Sequence, residues 1–388
     1  LGKTAGFYAF TGLFAILVGL SMVNLIKPGL TDGEPNETIE KAFKNQFEGA
    51  SESDKEKVAA AKAEAEGIGP GSGGFFKLMA NFVKGMIPTN VMKAASDNRA
   101  MLGLIFFSIL FAVATTRLPV DSMGTMREFF QSLNDVMILL TRWIMALAPI
   151  GVYALLLPVV YKSGGEIFVV LGKYFFTVLA SLLIHFVVIM PLILRYVGKV
   201  NPLAHFKAMR TALLTAFSTA SSSATLPVTM RCVQDNAGVS KKIASFTLPL
   251  GATVNMNGTA LYECVAVIFV AQVMGIEMGF GQQFIVVLAA LLTSIGVAGI
   301  PSASLVAIFI ILLNSGIPGA EIAIMTLLAV DRLLDMSRTA VNVLGDSCAA
   351  VVVARSEGET GILEETATLP AGGNPSGEDK GEAADDER

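Results

Sequence analysis

Asp331, Asp335, Arg338, Asn342 and Asp346 recur at spacings of three and four within DRLLDMSRTAVNVLGD. At about 100° per residue on a helix, they fall in a stripe roughly 80° wide, with Thr339 at its edge. The opposite face reads Leu333, Met336, Ala340, Val341 and Leu344. The segment lies between the apolar runs IAIMTLLAV and SCAAVVVA, so this is a polar seam on a membrane-grade helix. A charge at the centre of a spanning helix costs about 2.5–3.5 kcal/mol on insertion scales, and such residues pair with one another or line a pathway. A seam that only joins helices is the plainer reading. Pairing Asp335 with Arg338, however, leaves Asp331 and Asp346 without a cation.

A second polar face appears in GATVNMNGTALYE, where Gly251, Asn255, Thr259 and Glu263 recur every four residues. Asn255 to Thr259 is a poor helix-forming run. Unwinding there would free carbonyl oxygens for a hard cation, as in broken transporter helices. A capped kink is the alternative. Glu263, an isolated acid in an apolar run, is either a neutral structural group or a proton carrier. The cluster Ser221-Ser222-Ser223 reads as an exposed hydroxyl-rich loop or as a turn offering hydroxyls and backbone N–H groups to an anion.

Long apolar elements must position these groups. The 388 residues are 53% hydrophobic and 15% charged, with a mean hydropathy of +0.63. Soluble domains carry about 25% charged residues, so the chain reads as an all-α polytopic membrane protein. Spans are predicted over 4–27, over a broken 74–116, over 128–161 and over 167–195, with a tight turn from Lys162 to Glu166. The polar stretch 28–72 reads as a short exposed helix or a disordered insert. Residues 204–229 and 284–313 are broken by STASSSATLPVT and SIGVAGIPSAS. Each reads as a re-entrant hairpin, followed by a long span at 242–275 or 320–355. Such non-helical tips are tolerated only inside protein or beside water. Interrupted segments at matching places in two repeats point to a transporter binding site.

Residues 356–388 hold ten acids and two bases and are expected to form a disordered cytoplasmic tail. Lys and Arg in the connections place the N-terminus inside and the long insert outside. The chain starts at Leu1. The run from Ala5 to Ile26 is too long for a signal peptide's apolar core, so it is read as a true span of an N-terminally truncated chain. Cys232, Cys264 and Cys348 show no metal spacing, and His185 and His205 are far apart. No nucleotide loop, zinc spacing or Ser-His-Asp arrangement is present. An intramembrane aspartyl protease would need two acids across a water site, and Arg338 beside Asp335 opposes that pairing. A passive channel would not need the Asp335–Arg338 pair.

SSSATLPVT, NMNGTALYE, SIGVAGIP and DRLLDMSRTAVNVLGD, in that order, resemble the glutamate transporter family of dicarboxylate/amino acid:cation symporters. IPTN and APIGVYAL fit its earlier helices. The likeness covers about 4–27 and 74–355. It implies an elevator-type secondary transporter of the plasma membrane (the inner membrane in a bacterium), with two re-entrant helical hairpins and inverted repeats. The expected partners are the lipid bilayer, an acidic amino acid and two further copies in a homotrimer; neither an enzyme nor a nucleic-acid binder is implied. The resemblance divides the chain into a third-span-like helix of the transport domain (1–27), an extracellular insert (28–73), scaffold helices (74–162), the remaining transport domain (163–355) and the tail (356–388). The family's first two spans, both in its scaffold, would be missing.

Carried over by position, Asp335 would bind the substrate ammonium and Arg338 its side-chain carboxylate. Thr339, Asn342 and Thr259, with backbone from Ser222 and Ile300, would complete the pocket. One Na+ would take Asp346, Asn342, Asn255 and Gly251. A second would take Thr253, Ser294 and Ile295, and a third Thr11, Tyr8, Asn255 and Asn257. Glu263 would carry H+, with K+ countertransport often accompanying it. The family usually has Asp where this chain has Asn257, and a hydroxyl residue where it has Gly12, so the third cation site is expected to be weakened. Asp335 favours L-aspartate or L-glutamate over C4-dicarboxylates, which have no amine; a proton-dominated, neutral amino acid or C4-dicarboxylate symporter is the alternative.

Overall fold

The computed structural model describes residues 2–35, 80, 83–84, 86–96, 101–163, 166–296, 299, 301–315, 317 and 320–363. The first helix, α1 (Gly2–Ile26), buries Thr4, Tyr8, Thr11, Gly12, Ala15, Ile16, Gly19 and Val23, which lie on one face at helical spacing. Phe10, Leu13, Phe14 and Leu17 are exposed on the other, as a lipid-facing side requires. A small antiparallel hairpin follows, β1 (Leu30–Thr31) with β2 (Glu34–Pro35). This start of the polar stretch is therefore neither helical nor irregular. The rest of that expected insert, from residue 36, and the N-terminal part of the broken second span, to residue 79, lie outside the described residues.

The second span is represented by a short α2 (Val91–Ala94), capped by Asn90, and by α3 (Met101–Thr115). The next helix, α4 (Val120–Ser163), is longer than the expected 128–161 at both ends. Lys162 and Ser163 are thus helical, the next helix already begins at Glu166, and residues 164–165 of the expected turn lie outside the described residues. The fourth span is continuous through α5 (Glu166–Ile184), a π-helical turn at His185–Ile189 and α6 (Met190–Tyr196). Among the described residues, Gly2–Ile26, Phe168–Tyr196 and Lys241–Val273 are long and apolar enough to cross a membrane.

Two helix pairs stand where chain breaks were expected. In the first, α7 (Pro202–Thr219) ends at Ala220 in the left-handed region, and Ser221 caps α8 (Ser222–Arg231). In the second, α11 (Phe280–Gly296) is followed by α12 (Ala303–Asn314), which opens at Ser302 with φ +57°. Between them lie α9 (Lys241–Val254) and α10 (Asn257–Val273), separated by Asn255 and Met256 alone. The predicted unwinding over 255–259 is therefore confined to two residues. Asn257, Gly258 and Thr259 already form the first turn of α10.

The last helix is α13 (Ala320–Ser356). A large apolar cluster surrounds α10, drawing on α1, α5, α11, α12 and the stretch from Ala323 to Val341 of α13. A second cluster joins α6, α7 and α9 to the C-terminal half of α13. The polar seam of α13 faces the α9–α10 break at the junction of the two clusters. The expectation that the acidic tail begins unstructured at 356 is corrected for its first residues. Ile362 is buried, and Leu363 N–H donates to Ala237 O. The remainder, from residue 364, lies outside the described residues.

Candidate functional site

The seam is fully buried. Asp331, Asp335, Arg338, Thr339, Asn342 and Asp346 are each at most 4% exposed. Arg338 Nη2 donates to Asp335 Oδ1 at 2.6 Å, and Nη1 stands 3.8 Å from Asp331 Oδ1. The guanidinium carbon lies 4.9 Å from the centre of the Tyr262 ring, a cation–π contact. Asp331 accepts from Tyr262 OH at 3.0 Å and from Ser302 Oγ at 2.8 Å. The expectation that Asp331 lacks a cation is thus corrected: it shares Arg338 with Asp335, and two hydroxyls satisfy its oxygens. Asp335 Oδ2 accepts from Ser302 N–H at 2.7 Å, which ties the start of α12 to α13. The left-handed conformation of Ser302 costs about 1–2 kcal/mol. It aims both the N–H and the hydroxyl of that residue at carboxylates. Arg338 Nη1 has no hydrogen-bond partner.

Further along the seam, α10 is laid directly against α13. Asn342 Oδ1 accepts from Gly258 N–H at 2.7 Å, and Asn342 Nδ2 donates to Thr259 Oγ1 at 3.1 Å. A Cβ on Gly258 would stand 2.5 Å from Arg338 O, so only glycine permits this approach. Thr339 Oγ1 donates to Asp335 O, one turn back in its own helix.

Both helix-pair turns close on the same place. Ser221 Oγ donates to Gly299 O at 2.6 Å. A Cβ on Gly299 would meet Ser223 Oγ at 2.8 Å and Ala252 O at 2.9 Å. Ser222 is buried in the first turn of α8, and Ile300 lies outside the described residues.

Asp346 lies beyond Asn342. Its Oδ1 accepts from Asn255 Nδ2 at 2.8 Å, and it lies against Gly251 and the Tyr8 hydroxyl. Asp346 thus has an amide partner, and among the described residues no cation is paired with it. Asn255 Oδ1 and Asn257 Nδ2 are buried without partners. Tyr8 OH donates to Thr247 O, and Thr11 Oγ1 to Phe7 O. These oxygens suit a hard cation in kind.

Thr253, Ser294 and Ile295 are not joined by hydrogen bonds. Thr253 Oγ1 donates to Leu250 O and Ser294 Oγ to Leu291 O, each within its own helix, and Ile295 is exposed. Glu263 is fully buried in α10, and Thr293 Oγ1 donates to its Oε2 at 2.6 Å.

Sequence reasoning did not single out Tyr262 or Ser302. Tyr262 lies in a quoted motif three residues after Thr259, on an adjoining face. Ser302 carries no signal, because its role depends on a turn that brings it to a helix 29 residues away.

The sequence profile of the sodium:dicarboxylate symporter family matches residues 1–356. The chain belongs to that family. This symporter-family chain is 44% identical to mouse excitatory amino acid transporter 2 over 259 residues, which cover 66% of the chain and 45% of the relative. It is 42% identical to human excitatory amino acid transporter 1 over 258 residues, covering 65% and 46%. An excitatory amino acid transporter of Caenorhabditis elegans is 33% identical over 371 residues, covering 89% and 72%. The chain thus spans about half the length of the mouse and human relatives it matches.

Proposed function

We propose that this protein is a secondary active symporter for L-aspartate or L-glutamate, driven by sodium and a proton. The observation that carries this reading is Arg338 Nη1, buried beside Asp335 and 3.8 Å from Asp331, with no hydrogen-bond acceptor of its own. An unpaired buried guanidinium donor is costly, and a carboxylate satisfies it with fork geometry. Asp335 supplies the opposite charge for an ammonium. A ligand with both groups exchanges the internal Asp335–Arg338 pair for two external ones. A C4-dicarboxylate leaves Asp335 uncompensated, which disfavours the dicarboxylate alternative.

In this reading, Asn342, Thr259 and Thr339 line the pocket with backbone from the Ser222 and Ile300 turns. Asp346, Asn342, Asn255 and Gly251 hold one sodium, Thr253, Ser294 and Ile295 a second, and Tyr8, Thr11, Asn255 and Asn257 border a third, weaker place. The Ser221–Gly299 contact supports reading the two helix pairs as opposed re-entrant hairpins from inverted repeats. They would act as gates in a transport domain that rides past a trimeric scaffold.

Glu263 is the proposed proton carrier. Thr293 Oγ1 has one hydrogen but lies within reach of both Glu263 Oε2 and Ala289 O, at 2.6 and 2.8 Å. A protonated Glu263 donating to Thr293, which then donates to Ala289 O, satisfies all three groups.

The test is uptake of labelled aspartate and glutamate into liposomes, with sodium, proton and potassium gradients imposed separately. Arg338→Cys removes the carboxylate partner. It is expected to abolish aspartate uptake and to admit serine or alanine. Wild-type aspartate affinity in that variant would remove the substrate assignment.

A further inference from the structure

Arg338 faces two carboxylates and grips only one of them. Its Nη2 donates to Asp335 Oδ1 at 2.6 Å. Its Nη1 stands 3.8 Å from Asp331 Oδ1, too far for a hydrogen bond, although Nη1 has no acceptor of its own. A guanidinium closes on a carboxylate to about 2.7–2.9 Å when nothing opposes the contact. A shift of about 1 Å would therefore satisfy Nη1 from within the protein. Asp331 and Arg338 are both buried, so bulk water does not screen their attraction.

Two hydroxyls from other elements oppose that shift. Tyr262 OH donates to Asp331 Oδ1 at 3.0 Å, and Ser302 Oγ donates to Oδ2 at 2.8 Å. The carboxylate is thus held at both oxygens. Ser302 is itself anchored through its backbone, because its N–H donates to Asp335 Oδ2 at 2.7 Å. Its φ of +57° is a conformation that a residue with a side chain keeps only when its surroundings impose it. That conformation puts the N–H on one acid and the hydroxyl on the other. A single residue therefore spaces Asp335 from Asp331.

We propose that Ser302 is a positioning residue that determines specificity. Its hydroxyl keeps Asp331 away from Arg338 Nη1, and so leaves that donor for the ligand's side-chain carboxylate. Without the hydroxyl, Asp331 closes on Nη1, and the protein itself supplies the carboxylate that the ligand would bring. An acidic ligand must then displace Asp331. A neutral ligand has nothing to displace. Ser302 thus acts on the preference for acidic over neutral amino acids rather than on binding at large. The proposal rests on the role given above to Arg338.

Ser302→Gly tests it, because glycine accepts a positive φ without strain and keeps the N–H that bonds to Asp335. Only the hydroxyl is lost. The first measurement is the structure of the unliganded, full-length variant in lipid nanodiscs. Asp331 is expected within hydrogen-bond distance of Arg338 Nη1; the wild-type spacing would overturn the proposal, whatever the substrate is. The second is uptake of labelled aspartate into liposomes, with asparagine, its uncharged isostere, as competitor. The KM for aspartate should rise about tenfold, the worth of one hydrogen bond to a charged group. The inhibition constant of asparagine should stay at its wild-type value. In an Asp331→Asn background, which lacks the competing charge, Ser302→Gly should no longer raise the KM for aspartate. Equal weakening of aspartate and asparagine would mean that Ser302 merely holds its turn in place, and an aspartate KM that does not move would mean that Asp331 needs no restraint; either result overturns the proposal. Failure of the substrate reading looks different. Aspartate uptake by the wild type is then absent or indifferent to Arg338→Cys, and the structure of the variant still decides the role of Ser302.

Discussion

At the scale of single residues, several of the buried polar atoms that lack a hydrogen-bond partner belong to the seam and to the helix α10 region laid against it. Arg338 Nη1, Asn255 Oδ1, Asn257 Nδ2 and Glu263 Oε1 are all buried without hydrogen-bond partners. Buried polar groups are nearly always paired, so such a cluster points to ligands that complete it. Glu263→Gln keeps the size and a hydrogen-bonding end but cannot release a proton. Transport by this variant is expected to lose its dependence on external pH and on internal potassium. Wild-type uptake that already ignores both would remove the proton role. Asn257 leads to a different expectation. The motif that NMNGT resembles has Asp here, and a Cβ on Gly12 would lie 3.4 Å from Asn257 Oδ1. An amide offers an oxygen without a charge, so a cation here lacks its neutralising partner. The reversal potential of aspartate flux should report fewer sodium ions per substrate than in the double variant Asn257→Asp, Gly12→Ser. Equal stoichiometry in the two proteins would show that the charge at this position does not set the count.

At the scale of elements, the decisive feature is how closely α10 lies on α13. Gly258 N–H reaches Asn342, and the space beside Gly258 is filled by Arg338 backbone. Backbone cannot rotate away as a side chain can. Gly258→Ala should therefore push α10 from α13, at a cost of about 1–3 kcal/mol for an overpacked site. Two readouts apply: the thermal midpoint in detergent and aspartate uptake in liposomes. Both should fall. A variant with wild-type values for both would show that the contact can relax and is not needed to hold Arg338 in place.

At the scale of the whole molecule, the segment after α13 ties distant parts together. Lys3 at the start of α1 pairs with Glu357 at 2.5 Å, and Glu359 accepts from Ser240 N–H at the start of α9. Lys3, and more weakly Lys242, hold the Glu357 carboxyl below the usual glutamate range. A carboxyl lowered in this way stabilises the folded state above its ordinary pKa, and the contribution disappears as pH falls through the lowered value. Glu357→Gln should therefore melt slightly below the wild type near pH 6. The gap should close as the pH drops below the glutamate range. Both side chains of the pair are more than half exposed, so the gap should also shrink in high salt. A gap that persists unchanged at low pH would mean that the carboxylate charge is not its origin.

The amino-acid sequence alone carried the class of the protein and most of the seam. Spacing at three and four put Asp331, Asp335, Arg338, Asn342 and Asp346 on one face, because a helix repeats every 3.6 residues. Hydropathy located the long helices, because a bilayer demands long apolar runs. Pro, Gly and Ser in SSSATLPVT and SIGVAGIPSAS marked where the chain breaks. What no local pattern contained was the pairing across elements. Asp331 lacks a partner in the linear reading, since the hydroxyls of Tyr262 and Ser302 that satisfy it come from α10 and from the turn before α12. The unwinding predicted for five residues is confined to Asn255 and Met256, because Asn342, from outside the helix, accepts from Gly258 N–H and steadies the next turn. Composition alone assigns the first residues of the acidic tail to disorder, yet Ile362 finds an apolar cluster built by α6, α7, α9 and α13. Composition and periodicity describe what one segment can do. Which carboxylate shares a guanidinium, and which glycine must leave room for a backbone, is decided only when separate segments meet.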